Sequence, residues 1–428
     1  MSTAPAARPA TSGAAASAAP PARSVWLVTL YYTHGWEHGA HLRTFAVARE
    51  WVRRGAEVHF VGLEFEHTDA SLPEAYLRRL RDEGVITGFD RIRLRHPAVR
   101  GKLARGVLHP RLRDVVMGPE RRAMATELDA VARRVAPDLF VYTDRHLLFA
   151  SRRLRRYAPV AIDWKDSWRL QSDRAMRDAL RRGSRREALR RWFDGRDFGL
   201  EEGYYGARAD HNLLVSPVDA AALARDAGPG ARVHTVANGI RAAVVPPPAD
   251  RTPGRLIFTG AMDFPPNRDS ARWFAEQVMP LVVTQRPNTR FVIAGSGPGA
   301  ELRALTGPHI EVTGWVDDMR AELARSALYV APMTAGSGFK NKVVEALAAG
   351  RNVVGTTLAF EFLPERLRAL FAPADDPARL ADAVVAALDD PHGNDAAVSR
   401  FWQLAGDEFD WARVADRFAA AVHPHAPR

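Results

Sequence analysis

Between Ser24 and Leu63 the chain passes through an apolar strand, a glycine-bearing loop, a helix and a second strand, an order that specifies one right-handed βαβ unit. Val25 to Tyr32 is a continuous apolar run, as required of a strand buried on both faces of a parallel sheet. The loop Thr33 to His41 carries Gly35 and Gly39. The helix over Leu42 to Arg54 stops at Gly55, and Ala56 to Leu63 forms the next strand. This opening predicts a doubly wound α/β sheet. Further strands are expected at Ile92–Leu94, Asp138–Tyr142, Val160–Asp163, Asn212–Val215 and Arg232–Val236. A long helical stretch over 170–210 lies between Val160–Asp163 and Asn212–Val215.

The alternation breaks at Val244-Val-Pro-Pro-Pro-Ala-Asp-Arg-Thr-Pro253, a proline-rich connector and the best domain boundary in the sequence. A second α/β series follows. Strands are expected at Arg255–Thr259, Arg290–Ala294, Glu311–Thr313, Leu328–Ala331 and Asn352–Gly355, with helices over Asp269–Gln285, Glu301–Leu305 and 339–349. The expected organisation is a tail over 1–23, a first Rossmann-like domain over 24–243, a linker over 244–253 and a second Rossmann-like domain over 254–394. Helices over 395–422, bearing Phe401, Trp402, Phe409, Trp411 and Phe418, are expected to pack back on the first domain. Two such domains face each other across a cleft at the carboxyl ends of their strands, where a ligand is expected.

The stretch from Ala331 to Gly350 carries the clearest chemistry. A strand end leads through Gly336 and Gly338 into a helix whose Val343, Val344, Leu347 and Ala348 fall at helical spacing. Open amides at a helix start and the helix dipole favour an anion. Only four of the 60 basic side chains are lysines, and two of them, Lys340 and Lys342, stand here. Glu345 follows on the same helix face as Lys342, one turn deeper. Two cations, open amides and a carboxylate suit a nucleotide sugar, diphosphate first and ribose next.

Hydrophobic content of 46% and charged content of 26% belong to a soluble globular protein. The net charge of +10 is carried almost wholly by arginine beside abundant alanine, which reads as compositional bias ahead of a polyanion-binding role. Zero cysteines exclude disulfides, thiolate metal sites and a cysteine nucleophile, and fit a reducing cytoplasm. No run of 18 apolar residues suggests a membrane span. Residues 1–23 have no leucine-rich segment and are expected to be a disordered tail. The basic segment Arg181 to Arg191 reads either as a solvated helix face or as a surface for an anionic membrane. The chain is therefore expected to be cytoplasmic, with a peripheral place at the inner face of the membrane kept as the alternative.

Three stretches together resemble the GT-B nucleotide-sugar glycosyltransferases, and glycosyltransferase family 4 most closely. They are Val236-Ala-Asn-Gly-Ile240, Phe291-Val-Ile-Ala-Gly-Ser-Gly-Pro298 with Val312-Thr-Gly-Trp-Val316, and the 331–350 stretch. The resemblance runs from about Ser24 to about Val422. Within it, Gly260 to Asn267, Gly338 to Glu345 and Asp163 to Trp168 look like sugar transferases of exopolysaccharide and exosortase-associated gene clusters. Two departures stand out. The family has two glutamates eight residues apart, and the position eight before Glu345 is Ser337. It also holds the diphosphate with an Arg and a Lys after the first strand of the second domain, where this chain has Ala261, Met262 and Asp263.

The resemblance implies a retaining transfer of a sugar from a nucleoside diphosphate sugar to a hydroxyl of a polysaccharide, lipid-linked glycan or secondary metabolite. Lys340 and Lys342 then neutralise the departing diphosphate in place of the missing cations, together with the amides of Ser337 to Phe339. Glu345 accepts from ribose hydroxyls. Asn267, Gly295, Gly297, Trp315, Gly336, Ser337, Gly338, Phe339 and Asn341 line the donor side, with Gly39 facing from the first domain. Asp144 and His146 contact the reacting sugar or cap a helix. His34, Asp166 and Trp168 are acceptor candidates. His34, His38 and His41 lack a fourth ligand, so no metal is expected and no cofactor is required. No nucleic-acid partner is expected. A nucleotide-sugar 2-epimerase and a non-catalytic sugar-nucleotide-binding protein remain as alternatives. A phosphorylase is disfavoured by the lack of a lysine placed for pyridoxal.

Overall fold

The computed structural model describes residues 22–30, 39–65, 74–94, 110, 118–143, 148–240, 244–245 and 250–423. Two all-parallel sheets account for the described strands. The first holds β1 (Ser24–Leu30), β2 (Glu57–Phe65), β3 (Gly88–Leu94), β4 (Leu139–Tyr142), β5 (Val160–Lys165), β6 (His211–Leu214) and β7 (Val233–Thr235), in spatial order β3-β2-β1-β4-β5-β6-β7. The second holds β8 (Thr252–Thr259), β9 (Arg290–Ala294), β10 (Ile310–Gly314), β11 (Ser326–Ala331) and β12 (Val353–Gly355), in order β10-β9-β8-β11-β12. Strand order reverses beside β1 in one sheet and beside β8 in the other, the doubly wound pattern.

Helices cover the faces of the first sheet: α1 (Gly39–Arg53), α2 (Glu74–Asp82), α3 (Gly118–Val135), α4 (Leu148–Leu154), α5 (Trp168–Arg181), α6 (Arg185–Gly206) and α7 (Pro217–Ala227). The apolar run of β1 is explained by its two buried faces. Val25 and Leu27 pack with Trp51 of α1, and Trp26 and Val28 pack with Leu128 of α3 and Phe140 of β4. The long helical stretch expected over 170–210 is an antiparallel hairpin of two helices, α5 and α6. It turns at Gly183, whose φ of +75° a side-chain-bearing residue rarely adopts.

The second sheet is covered by α8 (Pro265–Trp273), α9 (Met279–Gln285), α10 (Ala300–Arg303), α11 (Met319–Ala324) and α12 (Asn341–Ala348). They are followed by α13 (Thr357–Phe360), α14 (Glu365–Arg368), α15 (Pro377–Asp389), α16 (Pro391–Ala405) and α17 (Trp411–Val422). The helix expected over Asp269–Gln285 is interrupted by a π turn at Phe274–Val278, just before Pro280. The wider turn absorbs the ring and the missing N–H of the proline.

The carboxy-terminal segment divides between the domains, which corrects the expected packing of 395–422. Phe401 and Phe409 lie in the second domain's core with Trp402 packed against it, and Trp402 Nε1 donates to Leu347 O at 2.9 Å. Only α17 returns to the first domain, where Val414, Ala415, Phe418 and Val422 join the core beside α1. The aromatic residues before Asp410 have a complete apolar pocket in the domain they follow, and crossing would have exposed them. The chain thus crosses twice, and the crossings touch: Ile240 N donates to Phe409 O at 2.9 Å.

Candidate active site

The carboxyl ends of the two sheets meet at the loop between β11 and α12. Asp219, near the start of α7, accepts from Gly338 N at 3.1 Å through Oδ2, and from Ser167 N at 2.9 Å through Oδ1. Arg174 of α5 donates to both carboxylate oxygens of Glu361, at 2.5 and 2.7 Å, and to Gly336 O at 2.9 Å. Asn238, just past β7, donates to Asn341 Oδ1 at 3.3 Å. The glycine loop is therefore gripped by the first domain at three places.

Gly338 shows why glycine is needed. Its φ is +75°, and a Cβ built on it would stand 2.0 Å from Asp166 Oδ1. Asp166 is itself delivered by Lys165, a non-glycine residue held at φ +66°. Burial pushes the Asp166 carboxyl up to about 6, Asp219 adds to the rise, and Lys340 opposes it. We expect Gly338→Ala to cost about 2 kcal/mol, from left-handed strain plus overlap with Asp166. Thermal unfolding checks this: the variant should melt lower, and Gly338→Ala combined with Asp166→Ala should recover part of the loss. A variant as stable as the parent would refute the packing argument.

The two lysines separate in space. Lys340 is buried, and its Nζ donates to Ser337 O at 2.8 Å and Gly338 O at 3.0 Å. Burial lowers its pKa, opposed by Glu361, Asp166 and Asp219 nearby. Its ammonium was expected to neutralise the diphosphate, and here it donates to two carbonyls of its own loop. The Gly338 amide, expected to face the diphosphate, is likewise taken, by Asp219. The amides of Ser337, Phe339, Asn341 and Lys342 have no acceptor among the described residues. Ser337 Oγ is buried with no hydrogen-bond partner.

Lys342 faces the other way. Its Nζ donates to Asn267 Oδ1 at 2.6 Å and sits 4.6 Å from the ring centroid of Phe258. Asn267 Nδ2 donates to Ala261 O at 2.9 Å, so the lysine is anchored at the segment that lacks cations of its own. Burial, then the charge of Lys340, pushes Lys342 down to about 7, and Glu345 opposes them. Burial raises Glu345, whose carboxylate has no hydrogen-bond partner among the described residues. Gly260 and Gly295 make the wall beside them. A Cβ on Gly295 would stand 1.9 Å from Gly260 O, and one on Gly260 would stand 2.9 Å from Lys342 Nζ. Gly297, at φ +66°, packs against the Asp263 side chain.

The other candidates are less concentrated. Trp315 is 76% exposed beyond β10, its Nε1 donating to Asp317 at 2.9 Å. Phe339 packs edge-on against Phe362, partly buried against the second domain's core. Trp168 is exposed and lies against Phe198. Gly39 is the first residue of α1. His34, Asp144 and His146 lie outside the described residues. Asp163, though at a strand end, is committed to a buried ion pair with Arg43 at 3.0 Å. Sequence reasoning missed Arg43, Arg174, Asp219 and Glu361, since an isolated Arg or Asp in a helix has no local signature. A cleft of ≈ 850 Å³ opens on the outer side of the Arg174–Glu361 pair, lined also by Arg177, Trp273, Thr334 and Leu358. No group of three His, Asp or Glu is placed to hold a metal ion among the described residues.

Residues 253–390 match the family described as Glycosyl transferases group 1. The second domain is a group 1 glycosyltransferase domain. A stretch of 153 residues is 35% identical to the phosphatidyl-myo-inositol mannosyltransferase of Mycobacterium tuberculosis, spanning 32% of this chain and 39% of that protein. The gpi3 subunit of the Schizosaccharomyces pombe phosphatidylinositol N-acetylglucosaminyltransferase is 28% identical over 150 residues. Whole-chain likeness is to solved GT-B structures. Anabaena HepE, solved with UDP and glucose, has a TM-score of 0.58 at 13% identity, covering 94% of this chain and 100% of that one. Sucrose-phosphate synthase from Thermosynechococcus elongatus has a TM-score of 0.65 at 15% identity, covering 93% and 98%. The two domains together have the GT-B fold, with the glycosyltransferase domain supplying Lys342 and Glu345 and the first domain clamping its glycine loop.

Proposed function

We propose that the chain is a retaining glycosyltransferase that moves a sugar from a nucleoside diphosphate sugar to a hydroxyl acceptor. The observation that carries this is Lys342, fixed by Asn267 beside an unpaired Glu345, at the helix start of a group 1 glycosyltransferase domain. As the glycosidic bond to the diphosphate breaks, its electron pair moves onto phosphate oxygen. The Lys342 ammonium and the open amides at Asn341 and Lys342 stabilise that charge. Glu345 accepts from the ribose hydroxyls. The binding of UDP and glucose by HepE supports a nucleotide sugar as donor. The acceptor enters from the cleft beside Arg174, whose mixed charges and Trp273 suit a polyhydroxylated molecule. The resemblance of Gly338–Glu345 to exopolysaccharide-cluster transferases favours a glycan acceptor.

The deciding experiment incubates the protein with a panel of nucleotide sugars and follows released nucleoside diphosphate. Release supports transfer chemistry. Isomerised sugar without release points to a 2-epimerase, and binding without turnover to a non-catalytic protein, a reading that Ser337 in place of a glutamate keeps in view. Absence of binding across the panel sinks the proposal.

The lowered Lys342 pKa predicts a pH dependence of donor affinity. The free protein holds Lys342 near 7, and a bound diphosphate raises that value, so binding takes up a proton above it. Affinity is full below about 7 and weakens as pH rises through that value, by at most about tenfold per pH unit. Calorimetry with a nucleotide sugar in two buffers of different ionisation enthalpy measures the proton. Uptake near zero at pH ~8, or affinity that does not change with pH, would contradict the assignment.

A further inference from the structure

The α5–α6 hairpin carries a surface that the transfer reaction does not use. On α6, Leu189, Trp192 and Phe193 are 58%, 46% and 44% exposed, and their spacing places them on one helix face. The two rings meet edge to face at 4.9 Å, an apolar pair presented to solvent. Arg185, Arg186, Arg190 and Arg196 flank them, exposed and without a carboxylate partner among the described residues. The acids of this segment are Glu187, which is shared between Arg182 and Arg191, and Asp194. The exposed apolar rings are the costly part in water, while the hydrated guanidinium groups around them stay available to an anionic surface. Both are at home in a bilayer interface, where rings sit at headgroup depth and arginines meet lipid phosphates.

We infer that the first half of α6 docks on an anionic phospholipid bilayer. Charge complementarity selects that occupant: five arginines face two acids over 185–196, while the apolar face is too narrow for a spanning segment. No described helix is long and apolar enough to cross a membrane, so the contact is peripheral. The geometry gives docking a consequence. Arg181 and Arg182, which lead into the turn before α6, line the ≈ 850 Å³ interdomain cleft. A bilayer beneath α6 therefore lies next to the mouth of that cleft.

Co-sedimentation of the full chain with sucrose-loaded vesicles tests this, using phosphatidylcholine alone or with roughly one-third phosphatidylserine. The anionic vesicles should retain the protein and the neutral ones release it. Trp192→Ser with Phe193→Ser, and separately Arg185→Glu, Arg186→Glu and Arg190→Glu, should each weaken retention by about tenfold or more. Arg78→Glu, Arg79→Glu and Arg81→Glu on α2 carry the same charge change on another surface and should leave retention within about twofold. These positions are exposed, and unchanged circular dichroism and melting confirm that each variant is folded. Three results would each overturn the inference: no retention of the parent protein, equal loss in the α2 control, or full retention by the serine variant. The last would mark a purely electrostatic, polyanion-binding face.

Discussion

Lys342→Ala should lower turnover of the responsive nucleotide sugar by about 10²- to 10³-fold, equivalent to about 2.7–4 kcal/mol of lost transition-state stabilisation. The size follows from isolation. The segment after β8 offers no cation, Lys340 is turned into its own loop, and Lys342 alone of the two points to the wall made by Gly260. The effect should fall on kcat more than on KM, because negative charge on the leaving group grows only as the bond breaks. Lys340→Ala should behave differently. It strips two carbonyls of their donor, so its first symptom is a lower melting temperature. Turnover by Lys342→Ala within about threefold of the parent would remove Lys342 from the chemistry.

Arg43→Ala should destabilise the protein by about 3–5 kcal/mol, the largest single-residue effect on stability expected outside the apolar core. Arg43 and Asp163 are 1% exposed, and Nε lies 3.0 Å from both carboxylate oxygens. Nη1 also donates to Val236 O at 2.7 Å, Ala237 O at 3.1 Å and Asn238 Oδ1 at 3.2 Å. Truncation therefore leaves a buried carboxylate with no counter-charge and unties the segment through which the chain leaves the first domain. That segment is crowded already, since a Cβ on Gly239 would stand 2.5 Å from the Trp411 ring. Chemical denaturation measures the cost. Arg43→Met with Asp163→Leu should recover most of it, because the penalty belongs to the unpaired charge. A single variant that loses less than about 1 kcal/mol would refute this account of the pair.

The local sequence determined the elements. The apolar runs of β1 and β9 suit buried parallel strands, and the glycines and prolines between such runs set where helices begin and end. Gly336, Gly338, Lys342 and Glu345 were legible for the same reason: their chemistry lies within one loop and one helical turn. What the sequence could not decide is direction and partner. Lys340 and Lys342 are two positions apart at the mouth of a helix, about 200° around its axis, so one was bound to face away from the other. Which of them met carbonyls and which met Asn267 depended on where α7 and β8 lay. The grip of Arg174, Asp219 and Asn238 on the glycine loop and the helix start behind it joins residues more than 100 positions apart, and no periodicity encodes such a contact. The same holds for the carboxy-terminal aromatics, which settled in whichever core had room for them. Sequence supplied the stretch around Gly338, and tertiary structure decided that the first domain grips its glycine loop while Lys342 turns to Asn267 beside a half-buried Glu345 that has no hydrogen-bond partner among the described residues.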